Sequence, residues 1–278
     1  MFVFFKKILK KYYYSSLFLK KQNIIIKNIF EISYQHKKKI SLKINEYENQ
    51  AFSQFGEDGI IRYITDNIKI SRKFFVEIGV ENYEEANTRL LLEYNWTGLV
   101  IESNKDYCQH IVQQEYYYKN SLICLNEFVR EDNINKILIE KNILGKIGLL
   151  SIDIDGNDFW IWKKIDVIDP DIVVIEYNSR FAENSVTIPY DSDFIRGKKF
   201  HKVYYGASLN ALYKLGLSKG YSLVGTNSNG NNAFFVKKEL LNSKIKSVLP
   251  HECFNFKSFK ESEDDQNIDL MKYPTIVI

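Results

Sequence analysis

Acidic and amide side chains follow two largely apolar runs near the middle of the chain. Residues 147–158 (IGLLSIDIDGND) and 172–178 (IVVIEYN) end in such side chains, among them Asp153, Asp155, Asp158, Glu176 and Asn178. An unbroken apolar run is typical of a strand buried in a parallel sheet, and open α/β sheets bind ligands at the carboxyl ends of their strands. The two runs therefore predict a reaction site at one edge of a sheet.

Three interpretations of these acids remain open. In the first, Asp153, Asp155, Glu176 and Asn178 supply the hard oxygen ligands that Mg²⁺ prefers. In the second, no metal is needed, and Asp155 or Asp158 orients or deprotonates an acceptor hydroxyl with a pKa raised by the neighbouring carboxylates. In the third, Asp158 caps the next helix and Asp153 orders loop amides, so neither does chemistry.

A second set of acids surrounds an earlier turn, VEIGVENYEEANT (76–88). Only Gly79 is present where a pyrophosphate site needs GxGxxG, and the acids of the loop would repel phosphate. A cationic sulfonium cofactor with an amino-acid tail meets no such penalty, and Glu77 could accept from its ammonium group directly or through water. Glu102 suits a bidentate hydrogen bond to two ribose hydroxyls of an adenosine, and Asn126 could bind an adenine edge.

An alternation of strands and helices is needed to position these residues. The hydrophobic pattern predicts strands at 74–79, 99–102 and 122–125, then the two acid-tipped runs, then a hairpin of 221–224 and 233–236. Helical spacing occurs within 53–68, 87–94 and 134–138, from residue 158, and from an N-cap at Ser208 to Gly220. These elements predict a mostly parallel seven-stranded sheet with an antiparallel strand in the terminal hairpin and helices on both faces.

Charge divides the chain into three parts. Residues 1–50 contain eleven Lys and three Glu, whereas the remainder is acidic overall. This basic aromatic N-terminal extension predicts a helix packed on the main domain or, through residues 1–30, peripheral association with an anionic membrane. Residues 51–240 form the predicted α/β domain, and 241–278 a C-terminal tail of lower order.

Composition narrows the class of protein further. The chain has three cysteines and no CxxC pair, which disfavours a disulfide framework or a structural zinc site and is typical of the reducing cytoplasm. We therefore expect a cytoplasmic protein, at the inner membrane surface if the extension binds lipid. Basic residues concentrate outside the domain, so nucleic-acid binding is not expected.

Seven stretches resemble the S-adenosylmethionine-dependent methyltransferase superfamily, particularly its FkbM-like branch. They span about residues 53–236: SQFGEDGI, FVEIGVENYEEANTRLL, WTGLVIES, LLSIDIDGND, VVIEYN, YYGASLNAL and GYSLVGTNSNGNNAFFV. The resemblance implies a Rossmann-like methyltransferase fold, S-adenosylmethionine as cofactor, and O-methylation of a sugar or of a glycan- or nucleotide-linked precursor in surface polysaccharide biosynthesis. The chain departs from that family in its glycine-poor first turn and in DIDG, where Asp155 replaces the glutamate of DVEG.

The resemblance also implies roles for individual residues. The SQFGEDG turn is expected to fold over the cofactor with Gln54 and Asp58 as contacts, which join Glu77, Gly79, Glu102, Asn126 and Asp153 on the cofactor side. His201 is a candidate general base beside Asp155 and Asp158. The long loop 179–206 is expected to be a lid or acceptor-binding element. Four basic residues of this loop suit an anionic acceptor: Arg180, Arg196, Lys198 and Lys199.

Two other functions are compatible with the same residues. One is a non-catalytic protein of this fold that uses the acidic edge to bind a partner or ligand. The other is a nucleotide-sugar glycosyltransferase, in which the acids chelate a metal for a diphosphate donor.

Overall fold

The computed structural model of the protein describes residues 21–37, 43–256 and 268–278. The most basic and aromatic part of the extension, residues 1–20, lies outside these ranges, so its predicted membrane contact is not addressed by the fold. In the described part of the chain, no helix is both long enough and apolar enough to cross a bilayer.

The strands reproduce the sequence pattern closely. They are β1 (Phe74–Ile78), β2 (Thr97–Glu102), β3 (Ile123–Asn126), β4 (Gly145–Ile152), β5 (Ile168–Glu176), β6 (Val186–Thr187), β7 (Tyr221–Thr226), β8 (Asn232–Lys237) and β9 (Ile276–Val277). Seven of them form one sheet in the order β3-β2-β1-β4-β5-β8-β7, and β6 pairs separately with β9. Neighbours among β1 to β5 are parallel, whereas β8 is antiparallel to both β5 and β7.

Helices connect most of these strands. They are α1 (21–37), α2 (Glu57–Asn67), α3 (Lys105–Val112), α4 (Glu115–Lys119), α5 (Ile134–Glu140), α6 (Asp158–Lys164), α7 (Leu209–Ser218) and α8 (Pro250–Cys253). The segment predicted as a helix at 87–94 is instead a 3₁₀ helix, Arg89–Tyr94. The hydroxyl of Ser208 accepts from the Ala211 amide and caps α7 as its sequence position indicates.

Alternate residues of the central strands enter two separate hydrophobic cores. Val76, Leu150 and Val173 pack with apolar side chains of α5, α6 and α7. Phe75 and Leu149, which point the other way, pack with α2 and α3. The period of two along each strand thus covers both sheet faces with helices. This confirms the predicted α/β fold, a mostly parallel seven-stranded sheet with an antiparallel strand in the terminal hairpin and helices on both faces, and the strand order reverses between β1 and β4.

The two ends of the chain also pack on this domain where they are described. On α1, Phe30 and Tyr34 are buried in a small cluster with Tyr47 and Leu90. At the other end, the Ile278 amide donates to the carbonyl oxygen of Ser185 at 2.9 Å beside the β6–β9 pair. The last residues of the predicted tail therefore hold the start of the long loop that follows β5.

Candidate functional site

A cavity of about 700 Å³ opens at the carboxyl ends of the central strands. Its walls come from the loops after β1, β2, β3 and β4, from the end of β5, from the turn before α2 and from the loop before α7. It lies where the strand order reverses between β1 and β4, which is where open α/β sheets bind ligands. A cavity of this size accommodates a cofactor or a small substrate.

Gly79 allows the backbones of β1 and β4 to approach each other at the floor of the cavity. Its φ of +79° is in the left-handed region, and a Cβ there would lie 2.7 Å from the carbonyl carbon of Asp153 and closer still to its oxygen. A side chain at this position would therefore collide with main chain that cannot rotate away. This single glycine is a geometric requirement of the predicted cofactor turn.

Glu102 joins the loops after β1 and β2. Its Oε2 accepts from the amides of Val80 and Glu81 at 3.2 and 2.9 Å, and its Oε1 accepts from the Asn104 amide at 2.7 Å. The side chain is nearly buried but contributes to the cavity wall. The structure thus places the predicted ribose-binding carboxylate at the cavity, where it also fixes the shape of two loops.

The cavity wall is strongly acidic. It carries two basic side chains, Arg196 and Lys202, and seven carboxylates: Glu81, Glu85, Glu102, Glu127, Asp153, Asp155 and Glu176. Such a wall repels a phosphate or diphosphate and attracts a cationic ligand. This negative charge does not favour the predicted anionic acceptor. Two of the basic residues proposed to bind it, Lys198 and Lys199, are exposed and do not line the cavity.

The SQFGEDG turn forms one wall of the cavity. Of its two residues predicted to contact the cofactor, Gln54 and Asp58, only Gln54 lies in that wall. Asp58 is buried, and its Oδ2 accepts from the amides of Ala51, Phe52 and Ser53 at 2.6–2.8 Å. Burial raises the pKa of Asp58 to about 6, although these hydrogen bonds act in the opposite direction. The carboxylate of Asp58 therefore holds the turn, and its contact with the cofactor stays a prediction.

A network that the sequence did not reveal joins this turn to the β7–β8 hairpin. The buried Glu57 accepts from the side-chain amides of Asn227 and Asn232 at 2.8 and 2.9 Å. Asn227 also donates to Asn231, which lines the cavity. The asparagine-rich segment TNSNGNN looked like a simple hairpin turn, yet its amides connect the hairpin to the cavity.

Glu77 lies beneath the first loop rather than in the cavity. Its Oε1 accepts from the Asn87 amide at 3.0 Å, and its Oε2 accepts from the amide and hydroxyl of Thr88. Burial raises the pKa of Glu77 to about 7. Both oxygens of this buried side chain are thus engaged by the loop, and its contact with a cofactor ammonium group, directly or through water, stays a prediction.

Asp158 is likewise fully buried at the start of α6. Its two oxygens accept from the amides of Ile154 and Gly156 at 2.8 and 2.9 Å. Burial raises its pKa to about 6. Asp158 therefore orders the DIDG loop and has no exposed surface, and its catalytic role stays a prediction.

Asn178 is committed to the long loop that follows β5. Its Nδ2 donates to the carbonyl oxygens of Val203 and Tyr205 at 2.9 and 3.0 Å, and its Oδ1 accepts from the Arg180 amide. The amide oxygen that a metal would need is therefore in use in a buried site. Asn178 therefore folds the loop back onto the sheet, and its metal ligation stays a prediction.

Two further candidates lie off the described cavity wall. The Asn126 amide donates to the carbonyl oxygens of Glu102 and Ser103 at 3.0 and 2.8 Å, and the adjacent Glu127 and Phe128 line the cavity instead. His201 accepts through Nδ1 from the Val203 amide at 3.4 Å. Adenine binding by Asn126 and proton abstraction by His201 therefore stay predictions, and neither residue lines the described cavity.

Three of the predicted acids do converge. Carboxylate oxygens of Asp153, Asp155 and Glu176 all lie within 4.8 Å of one another at the cavity. Arg196 reaches this cluster from the long loop and forms an ion pair with Asp155. The cluster therefore contains an internal cation that the sequence did not place there.

The DIDG loop and the long loop are fitted to each other. A Cβ on Gly156 would lie 2.7 Å from Cε1 of Phe194, so the aromatic ring packs directly on the glycine backbone. The side chain of Asn157 donates to the carbonyl oxygen of Asp191 at 2.7 Å. These contacts bring Phe194 and Arg196 into the cavity wall, which supports the prediction that this loop is a binding element.

Comparisons with known proteins return similarity to solved structures of methyltransferases. A methyltransferase dependent on S-adenosylmethionine from Clostridium acetobutylicum aligns over 76% of this chain and 98% of its own, with 11% identity and a TM-score of 0.42. The N-terminal domain of EvdMO1, with SAH bound, covers 65% and 79% at 8% identity and a TM-score of 0.42. An O-methyltransferase from Bacillus cereus in complex with SAH covers 59% and 74% at 13% identity and a TM-score of 0.38. No protein-family model and no curated protein sequence matches the chain.

Proposed function

We propose that this protein is a methyltransferase that uses S-adenosylmethionine. The observation that carries the proposal is the pairing of Gly79 and Glu102 at the point where the strand order reverses. The glycine leaves room for a ligand-binding turn, and the carboxylate at the end of β2, which lines the cavity, would accept from two ribose hydroxyls.

The charge of the cavity supports this cofactor over a dinucleotide. Seven carboxylates against two basic side chains favour a sulfonium cation and disfavour a pyrophosphate. Glu102 would hold the ribose, and Gln54 and Phe128 are available as walls around the rest of the adenosine. When bound, S-adenosylmethionine supplies an electrophilic methyl group.

The acceptor in this proposal is a hydroxyl of a sugar or a related glycan precursor, in the cytoplasmic stage of surface polysaccharide synthesis. The polar wall near Asp155 supports it, since carboxylates accept hydrogen bonds from sugar hydroxyls. With Asp158 buried, Asp155 is the one acid of the predicted catalytic pair that faces the cavity. Asp155 would orient the acceptor hydroxyl, and alignment of the two reactants contributes much of such a rate gain.

Calorimetric titration with S-adenosylmethionine tests the cofactor. We expect binding by the wild type and an affinity at least tenfold lower for Glu102→Ala, because the ribose contact and the anchor of the β1 loop are both removed. Glu85→Ala is the matched control: it removes one negative charge from the same wall without touching the ribose position, so its affinity should stay within about threefold.

Circular dichroism establishes that each variant is folded before it is titrated. Absence of binding by the folded wild type at millimolar S-adenosylmethionine would refute the proposal. Equal affinities of the Glu102 and Glu85 variants would refute the assignment of Glu102.

A non-catalytic protein of the same fold is the second candidate. It is favoured by the burial of Asp158 and Glu77 and by the ion pair on Asp155, which leave few free groups for chemistry. Binding of S-adenosylmethionine without methyl transfer to any monosaccharide or nucleotide sugar would support it. Stabilisation by a nucleoside diphosphate with Mn²⁺, and not by S-adenosylmethionine, would instead indicate the glycosyltransferase.

A further inference from the structure

We infer that Arg196 is the resident cation of the cluster formed by Asp153, Asp155 and Glu176, in the place where a divalent metal ion would otherwise bind. The cluster belongs to the cavity of the proposed function. The inference itself rests on ion-pair geometry and is tested without cofactor or turnover.

Arg196 is held in place by three different contacts. Its guanidinium forms an ion pair with Asp155, its Nε donates to the carbonyl oxygen of Lys202 at 2.7 Å, and its Cζ lies 3.8 Å from the ring centroid of Tyr205. Tyr205 is buried, and burial raises its pKa well above the usual value, so it presents a neutral ring to the cation. Arg196 therefore needs little rearrangement to stay over the carboxylates.

The same contacts leave a poor site for Mg²⁺. A magnesium ion needs near-octahedral oxygen ligands, yet the nearby amide of Asn178 is committed to backbone groups and a guanidinium offers no lone pair. Its positive charge would also repel a second cation a few ångströms away. A metal could enter only after the ion pair between Arg196 and Asp155 is broken.

Removal of the guanidinium should therefore create a cation site that the wild type lacks. Three carboxylates within 4.8 Å would then lie together without the charge of Arg196 between them and the entering cation. We expect Arg196→Ala to bind one Mn²⁺ at least tenfold more tightly than the wild type, as measured by electron paramagnetic resonance of free Mn²⁺. The double variant Arg196→Ala/Asp155→Asn should lose that gain.

Arg130→Ala is the matched control. Arg130 donates to the carbonyl oxygen of Ser192 at 3.0 Å and pairs with Asp193 at 3.3 Å, so it ties the same loop through the same types of contact without reaching the cluster. Its Mn²⁺ binding should equal that of the wild type. A folded Arg196→Ala that gains no Mn²⁺ would overturn the inference, and so would a wild type that binds one Mn²⁺ in a manner abolished by Asp155→Asn.

A separate observation on α1 carries a second inference. Ile24, Ile25, Ile29 and Ile32 are 51, 56, 63 and 74% exposed, while Phe30 and Tyr34 on the other face pack against the domain. The exposed isoleucines share one face because they are spaced at i, i+1, i+5 and i+8. This helix therefore presents an apolar stripe of four isoleucines to solvent, interrupted by the exposed Asn28.

We propose that this stripe docks on an anionic membrane surface. The twenty residues before α1 contain five lysines, seven aromatic residues and no acid, and the whole segment 1–50 has eleven Lys against three Glu. Positive charge beside an apolar helix face is the combination that binds anionic lipid, since attraction and apolar insertion act together. The charge complementarity favours lipid over a second copy of this basic segment.

Co-sedimentation with vesicles tests this docking. We expect the full chain to bind vesicles of phosphatidylcholine with 30% phosphatidylglycerol and not pure phosphatidylcholine, with binding weakened by salt. Ile29→Asn/Ile32→Asn should reduce the bound fraction at least tenfold. Ile139→Asn on α5 is the control, because that side chain is 52% exposed on a different surface.

Equal binding by the double variant and the wild type would overturn the proposal. Absence of wild-type binding to the anionic vesicles would do the same, and a dimer abolished by the same double substitution would then identify a second copy as the occupant.

Discussion

Substitution of Gly79 by alanine should lower the free energy of unfolding through backbone strain and through a steric collision. Comparison with the same substitution at Gly220 separates these two costs. Gly79 has a φ of +79°, and Gly220, just after α7, has a φ of +84°. An alanine at either position must adopt a left-handed conformation, which costs about 1–2 kcal/mol. The two glycines differ in space: a Cβ at Gly220 would meet nothing within 4 Å, whereas a Cβ at Gly79 would meet the carbonyl group of Asp153.

The difference between the two variants therefore measures the collision alone. The atoms struck at Gly79 belong to main chain at the junction of β1 and β4, so relief requires the two strands to separate. Overpacking of this kind costs about 1–3 kcal/mol beyond the backbone strain. We expect Gly79→Ala to lower the free energy of unfolding by about 2–5 kcal/mol and Gly220→Ala by about 1–2 kcal/mol.

Urea denaturation followed by circular dichroism gives both values on the same scale. Titration with S-adenosylmethionine adds a second readout, because Gly79 and Asp153 line the cavity whereas Gly220 does not. We expect weaker binding by Gly79→Ala and unchanged binding by Gly220→Ala. Equal unfolding free energies for the two variants would refute the argument that close approach requires the glycine.

Further predictions concern buried polar groups and the cavity. The free energy of unfolding should fall as the pH rises from about 5 to 8, because folded carboxyls with raised pKa values hold protons that the unfolded chain has released. Glu77 accounts for roughly 3 kcal/mol of this fall once it is fully ionised. In urea denaturation, the free energy of unfolding of Glu77→Gln should therefore depend less steeply on pH than that of the wild type. Asn178→Ala should cost about 2–4 kcal/mol in the same assay, since it leaves two buried carbonyl groups unpaired. Asp155→Ala should bind S-adenosylmethionine as the wild type does but lose methyl transfer in a radiolabel assay, and full activity would exclude its proposed role. Deletion of 276–278 should speed proteolysis within 179–206, because β9 then no longer pairs with β6; an unchanged cleavage rate would contradict this.

The sheet could be predicted from the sequence because its signal is local. Five apolar runs, each ending in polar residues, and a hairpin with a turn-rich centre are sufficient to indicate the parallel strands and the antiparallel one. The prediction of an α-helix at 87–94 was wrong, and this segment makes a contact that is not local. The amides of residues 87 and 88 donate to Glu77 on β1, and a 3₁₀ helix follows at Arg89–Tyr94.

The site was predicted less completely because a polar side chain at a strand end can either face the cavity or be buried against the backbone of a loop. Glu102 and Asp155 face the cavity, whereas Asp158 and Asn178, on the same edge, are buried against loop amides and carbonyl groups. The partners that decide between these two arrangements can be distant in the chain, as with the carbonyl groups 25 and 27 residues beyond Asn178. Residue type and spacing alone do not contain that information.

Buried carboxylates also explain how a glycine-poor turn can build a cofactor-type loop. Glu81 and Tyr83 adopt φ values of +47° and +62°, which glycine would tolerate more easily. The amides of Val80 and Glu81 are held by Glu102, and those further along the loop by Glu77. Asp58 and Asp158 hold the two neighbouring loops in the same way. Side-chain acceptors thus impose the loop shape that glycines would permit, and four acids assigned to the site from the sequence also shape the cavity: Asp58, Glu77, Glu102 and Asp158.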